Sequence, residues 1–316
     1  MNYKIVKYAP EFKSEWDTFL ASAANSHFFF KRDFLDYHKD KFNDHSLMFY
    51  DAKDNLVAVL AGNSDDKVFN SHAGLSFGGL IKRKNFRQSK TILLFNDLRE
   101  YLILNGFCEL NYKALPHIYH EAIGSEDLYA LFVLGSSISR RDVSSTIRLD
   151  NQLPYSKGRK WLINKAKKAE LSVTQISDLT LFWENLEHTL SAHETKPVHS
   201  LCQISSLKEK FPENIKVFAA YNGDIQLAGA VLFNNGKVSH AQYLFNTEQG
   251  RDHGALDFLI DHILKFEING FAYFDFGIST TDGGRVLNEG LISQKENFGA
   301  RATCNEHHSL TLKVRV

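Results

Sequence analysis

The chain has 316 residues, with 37 lysines and arginines against 37 aspartates and glutamates, and 43% of it is hydrophobic. That balance gives no global field to gather nucleic acid or an anionic membrane, and the apolar content suits two folded domains of common size. Three widely spaced cysteines, Cys108, Cys202 and Cys304, suit reduced thiols rather than a disulfide framework. No apolar run reaches a membrane span and the opening residues lack a signal-peptide pattern, so a cytoplasmic location is expected.

In chain order, residues 56–61 read as a short strand before the phrase Ser71-His72-Ala73-Gly74. A basic loop with Lys82, Arg83, Lys84, Arg87 and Lys90 then leads into a helix whose face is Ile92, Phe95, Leu98 and Leu102. Asn105-Gly106 supplies a left-handed helix end, and 107–115 reads as a strand. His117, Tyr119 and His120 follow. Their His-x-x-His spacing has no further ligands nearby, so no metal is expected. A polar, strand-capable segment closes the first half, and the boundary is placed so that the domains are 1–150 and 151–316.

The second half opens on a basic amphipathic helix in which Trp161, Ile163 and Ala166 face the core. Its Lys157, Arg159, Lys160, Lys165, Lys167 and Lys168 form either a solvated face or a phosphate-binding patch. A strand at 227–233 precedes Ser239-His240-Ala241-Gln242, a near copy of the phrase at Ser71. Leu256, Leu259, Ile263 and Phe266 form the next helix face, Asn269-Gly270 ends it, and 271–278 is a strand. Strand, strand, loop, helix, strand thus occurs twice, with a period too long for a solenoid. The fold class is α+β, an internal duplication in which each half is a mixed sheet flanked by helices.

The duplicated unit, the segment Lys157-Gly158-Arg159-Lys160-Trp161 between its copies, the strand end Asp275-Phe276-Gly277-Ile278-Ser279 and the closing run from Gln294 to Arg301 together resemble the FemAB-like branch of the GNAT acyltransferases, over essentially the whole chain. The resemblance implies two GNAT-like domains and acyl-coenzyme A as co-substrate. The donor's pyrophosphate would lie at Arg251, Asp252, His253, Gly254 and Ala255, before the long helix, where first-turn N–H groups meet an anion. Leu256 stands where the family pattern has a small residue. The first-half loop has lost its glycines, which implies that one copy holds the donor while the other helps to build the acceptor cleft.

No serine or cysteine sits on a recognisable nucleophile elbow, so direct transfer to an amine is expected. The family implies a small-molecule or carrier-linked amino sugar of a cell-envelope polysaccharide precursor as acceptor. Its other donor is aminoacyl-tRNA, used on a peptidoglycan precursor; tRNA is disfavoured because the chain offers no broad cationic surface, and DNA is not expected. A non-catalytic binding module derived from GNAT domains is the third reading.

Three residues are candidate bases. His240 lies on a strand whose alternation puts Gln242 on its side and Ala241 and Tyr243 on the other. Asp275 sits in an aromatic run, where burial would raise its pKa unless hydrogen bonds hold it down. His199 follows Pro197 on a loop. His72, Tyr119, Gln242, Tyr243, Asn288, Lys295 and Phe298 are candidate substrate contacts, the last three in a polar, glycine-rich segment that reads as a lid. Beside each stands a structural reading: a packed histidine, a tied carboxylate or a helix cap.

Overall fold

The computed structural model describes residues 2–122, 124–192 and 194–313. They gather into two compact units: Met1–Asp142 with Thr281–Val286 and Cys304–Val316, and Val143–Thr280 with Leu287–Thr303. The strand Ser137–Arg148 therefore gives 137–142 to the first unit and 143–148 to the second, and the strand Arg301–Thr311 is divided likewise.

In unit 1 the strands Lys4–Lys7, Leu47–Tyr50, Leu56–Leu60 and Leu80–Lys82 form an antiparallel sheet. A second set runs Asn43–Asp44, Asn63–Asp65, Val68–Asn70, Glu109–Lys113 and then residues 304–311, with Val68–Asn70 and Glu109–Lys113 parallel. The helix Gln88–Leu104 makes the parallel crossover possible and buries Phe95, Leu98 and Leu102 in a core with Phe49, Phe69 and Leu110. Tyr112 reaches through that core: its hydroxyl donates to Asp127 at 2.6 Å and accepts from the Leu80 amide at 2.7 Å.

In unit 2 the strands Ser172–Gln175, Ile215–Asn222, Ile225–Asn235 and Val238–Asn246 form an antiparallel meander. Tyr273–Ile278 adds in parallel to Val238–Asn246, and residues 143–148 pair antiparallel beyond it. One face of this sheet packs Ala228, Ala230 and Leu232 against Leu256, Leu259 and Ile260 of the helix Ala255–His262. On the other face the helix Thr180–Ser191 sets Phe182 against Phe245 and Trp183 against Tyr243.

Gly106 and Gly270 have φ of +82° and +90°, as the Asn-Gly helix ends require. Phe266 departs from the expected helix face: it is 64% exposed because a π-helical turn at Ile263–Glu267 shifts the angular spacing after Ile263. Trp161 is likewise 63% exposed, with Lys165 Nζ 5.4 Å from its ring centre. The buried stripe of helix Lys157–Lys168 runs through Ile163 and Ala166, and a residue two positions from Ile163 points well away from it.

Gly254 shows how closely helices pack here. Its φ is +70°, and a Cβ would stand 2.6 Å from the carbonyl oxygen of Leu162. Gly254→Ala is expected to lower stability by about 1–3 kcal/mol in denaturant titration, more than Gly270→Ala, where a Cβ meets nothing within 4 Å. Equal losses in the two variants would contradict the packing argument.

Candidate active site

The strands Val238–Asn246 and Tyr273–Ile278 pair for only three rungs, Val238 with Tyr273, Ser239 with Phe274 and His240 with Asp275. Beyond His240 each strand is irregular on its outer side. The pairing of Val238–Asn246 with Ile225–Asn235 slips where Ala241 and Tyr243 face consecutive partners, leaving Gln242 as the extra residue of a bulge. Tyr273–Ile278 slips against 143–148 between Asp275 and Ile278, around Gly277 with φ of +77°. The strands part, and a cavity of about 930 Å³ opens where they do. Leu244, Phe245 and Asn246 line it from one strand and Phe276 from the other. Asn185 and His188 close it on one face of the sheet, Leu256 and Ile260 on the opposite face. Asn246 Oδ1 is buried on that wall without a hydrogen-bond partner.

At the last shared rung, His240 Nδ1 lies 2.8 Å from Asp275 Oδ2. Asp275 is buried, and its other oxygen accepts from Ser144 Oγ at 2.6 Å and Thr146 Oγ1 at 3.0 Å. Thr146 is in turn 2.9 Å from Thr303 Oγ1, so one polar row crosses neighbouring strands. Burial pushes the Asp275 carboxyl up, but the hydrogen bonds from His240, Ser144 and Thr146 outweigh it and hold the pKa below the ordinary carboxylate value. Of the two outcomes expected for Asp275, a carboxyl raised by burial or one tied down by hydrogen bonds, the second is found. As an ionised acceptor Asp275 fixes the proton on His240 Nδ1, which leaves Nε2 with a lone pair. Gly277 gives the imidazole room: a Cβ there would stand 3.2 Å from His240 Cε1.

Lys295, which lines the cavity, is buried and donates to Gly277 O at 2.8 Å, Ile278 O at 2.8 Å and Ser279 Oγ at 2.9 Å. Burial lowers its pKa to about 8, with Asp275 opposing. Phe298, also on the wall, is buried against Tyr155 and Phe276, with Arg159 over its ring.

The bulge changes which face Tyr243 occupies. Phe233 faces His240 and Val231 faces Tyr243 across the ladder, so Tyr243 returns to the side of His240, contrary to simple alternation. There its hydroxyl meets His199 Nδ1 at 2.6 Å. Gln242 is half-buried at the bulge itself. Of the five residues assigned to the pyrophosphate, Arg251 lines the cavity, alongside Thr247, Glu248 and Gln249, and Asp252, His253, Gly254 and Ala255 do not. A six-residue helix, Glu248–His253, lies between the strand and Gly254, so the first turn at the cavity starts upstream of the motif. Asn288 is exposed and caps the helix Glu289–Glu296, its Oδ1 accepting from the Leu291 amide at 3.0 Å. His72 and Tyr119 belong to unit 1, both buried, against the rings of Phe42 and Phe77 respectively.

Unit 1 also re-aligns the repeat. Its third parallel rung pairs Asn70 with Asn111, so the counterpart of His240 is Asn70; the copied Ser-His phrase is out of structural register by two residues. His72 stands past the strand end with φ of +64°. Sequence reading also missed Ser144, Thr146 and Thr303, which carry no motif and join the row only through strand pairing. Among the described residues no group of three or more His, Cys, Asp or Glu side chains is arranged to hold a metal.

No protein-family model and no curated protein matches the sequence. Solved structures do match the fold. FemX aligns with a TM-score of 0.68 at 12% identity, over 98% of this chain and 97% of its own. L-PGS from Bacillus licheniformis gives 0.62 at 11% identity, over 98% and 94%. A tandem GNAT protein from the clavulanic acid biosynthesis pathway gives 0.55 at 10% identity, over 99% and 100%. The chain therefore has a tandem GNAT fold, α+β in class. Within that class its fold is similar to that of FemX.

The site makes a pH prediction through Lys295. Its pKa falls on folding from 10.5 to about 8, so above pH 8 the unfolded chain holds a proton that the native chain has released, and stability rises with pH between those values. Wild type should gain about 3 kcal/mol relative to Lys295→Met between pH 8 and 10.5. A stability difference that stays flat across that window would contradict the burial of this amine.

Proposed function

We propose that the protein is an N-acyltransferase that moves an acyl group from acyl-coenzyme A directly to the amine of an amino sugar or similar cell-envelope polysaccharide precursor. The observation that carries this reading is the cavity at the parting strands, with His240 held by Asp275 beside it; neither lines the cavity, whose nearest wall residue in sequence is Phe276, next to Asp275. Its walls suit the donor. Leu244, Phe276 and Ile260 offer apolar surface to a thioester arm. Arg251 and Lys295 supply the cations on the wall.

In this reading His240 Nε2 takes a proton from the acceptor ammonium. The freed amine attacks the thioester carbon and the C–N bond forms; as the C–S bond breaks, the second proton of the attacking nitrogen passes to the departing thiolate, and coenzyme A leaves as the thiol. Asp275 is a positioning residue that keeps the imidazole in the accepting tautomer. In the same reading the N–H of Gln242, the extra residue of the bulge, would donate to the developing oxyanion. In this reading the chain is two duplicated GNAT-like domains, 1–150 and 151–316, at work in the cytoplasm; the compact units follow a different division, with 304–316 in the first of them.

A second reading rests on a specific surface. The helix Lys157–Lys168 contains no acidic residue, and Lys157, Lys160, Lys165 and Lys168 are all exposed, which suits an aminoacyl-tRNA donor and a peptidoglycan precursor as acceptor.

His240→Ala is expected to lower turnover by roughly 10²–10⁴-fold while leaving the Kd for acetyl-coenzyme A nearly unchanged. Wild-type turnover in this variant would remove the base. For the donor, transfer to nucleotide-linked amino sugars should respond weakly to salt, because coenzyme A presents few phosphates. Product formed only from charged tRNA, with a steep loss between low and moderate salt, would overturn the donor and favour the second reading. Binding of coenzyme A without turnover on any amine would favour a non-catalytic module.

A further inference from the structure

Unit 1 keeps its own version of the row that holds His240 and Asp275, with the charge inverted. Asn70 and Asn111 occupy its third parallel rung, and Asn111 Nδ2 donates to Asn70 Oδ1 at 3.3 Å. Ser309 lies opposite Asn111 and His307 opposite Lys113, as Thr146 lies opposite Asp275 in unit 2. The buried carboxylate of unit 2 is thus a neutral amide in unit 1. Gly277, two residues beyond that carboxylate, has become Lys113.

A pocket of about 300 Å³ stands at this row, with Asn70, Asn111, Lys113, Ser139, Arg140 and His307 on its walls. Lys113 Nζ gives hydrogens to the carbonyls of Ala73 at 2.9 Å and Leu75 at 2.6 Å and has a third to offer. Arg140 grips Asp142 through Nε at 2.7 Å and Nη2 at 3.2 Å, which leaves Nη1 outside that pair. The amide nitrogen of Asn70 takes no part in its bond with Asn111. The negative charge nearby is Asp142, 4.0 Å from His307 Nε2, Glu306, which lies 3.4 Å from His308 Nε2 and 2.6 Å from Arg141, and Glu109, whose Oε1 accepts from Ser309 Oγ at 2.7 Å. Burial first, then Arg140, lowers Lys113 to about 8. Burial first, then Lys113 and Arg140, lowers His307 to about 4; Asp142 opposes both shifts. Two partly buried cations, Lys113 and Arg140, thus stand beside the neutral ring of His307, and an added anion would favour their charged forms.

We propose that this pocket is an anion site that takes a phosphoryl group, such as that of a sugar phosphate or nucleotide. The donors come from three strands, Val68–Asn70, Glu109–Lys113 and Ser137–Arg148, which suits the spread oxygens of a tetrahedral phosphate better than the plane of a carboxylate. The volume is about ten times that of a liquid water molecule, enough for the phosphate and part of its substituent. The site is independent of the acyl-transfer reading, since none of its residues lies in unit 2.

The test is calorimetric titration of the full chain with inorganic phosphate and with glucose 1-phosphate at constant ionic strength, with acetate and glucose as controls. One phosphate per chain is expected, with acetate weaker and glucose not bound. Asn111→Asp puts back the carboxylate of unit 2 with almost no change in size, and it should weaken phosphate binding roughly 10–100-fold, as should Lys113→Met. Thermal melts establish that the variants fold, and the isosteric Asn111→Asp carries the test if Lys113→Met does not. His240→Ala should bind phosphate as wild type does. No saturable phosphate binding would overturn the proposal. So would binding untouched by Asn111→Asp, binding lost in His240→Ala, or acetate bound as tightly as phosphate.

Discussion

Two parallel strands that pair for three rungs and then separate leave amides and carbonyls without ladder partners, and buried backbone groups must find them elsewhere. Much of unit 2 is arranged around that need. Lys295 brings its ammonium to the carbonyls of Gly277 and Ile278, at the end of one parting strand. The Ser279 amide donates to Val143 O at 2.7 Å, and the Asn288 amide to Ser279 O at 2.9 Å. On the other strand, Thr247 turns the chain with its amide and hydroxyl both on Leu227 O, and its hydroxyl oxygen accepts from the Gly250 amide. The opening is thus held from both sides by polar contacts, and its width does not depend on apolar packing alone.

The same frame occurs twice and carries different chemistry each time. The rung before the strands part is a protected place: it is flanked by paired strands, yet it borders a gap. In unit 2 it holds a histidine locked to an ionised carboxylate. In unit 1 it holds two amides beside a lysine. Duplication supplied the geometry, and a few substitutions at one rung and its neighbours changed what that geometry can hold.

Much of this frame was readable from residue order. The helix faces, the Asn-Gly helix ends and the repeated unit follow from local periodicity, which needs no knowledge of distant partners. His240 and Asp275 stood out individually, but their contact did not, because it depends on parallel pairing across 35 residues. Ser144 and Thr146 were invisible for the same reason, at separations of 131 and 129. Tyr243 was put on the wrong face because alternation presumes an unbroken ladder, and the bulge at Gln242 breaks it. Gly254 was ambiguous at its root: a left-handed glycine reads alike in sequence whether it faces a phosphate or, as here, the carbonyl of Leu162. The duplicated Ser-His phrase misled through similarity of letters, since the strand rungs set the true alignment.

The central claim is that the gap between the parting strands is the donor site. A crystal structure of the protein with a non-transferable thioether analogue of acetyl-coenzyme A tests it most directly. The account predicts the pantetheine arm between Leu244–Asn246 and Phe276, with the carbon that mimics the thioester carbonyl on the side of His240 Nε2. An analogue bound outside this cavity, or a cavity still empty at a concentration that saturates the protein in solution, would contradict it.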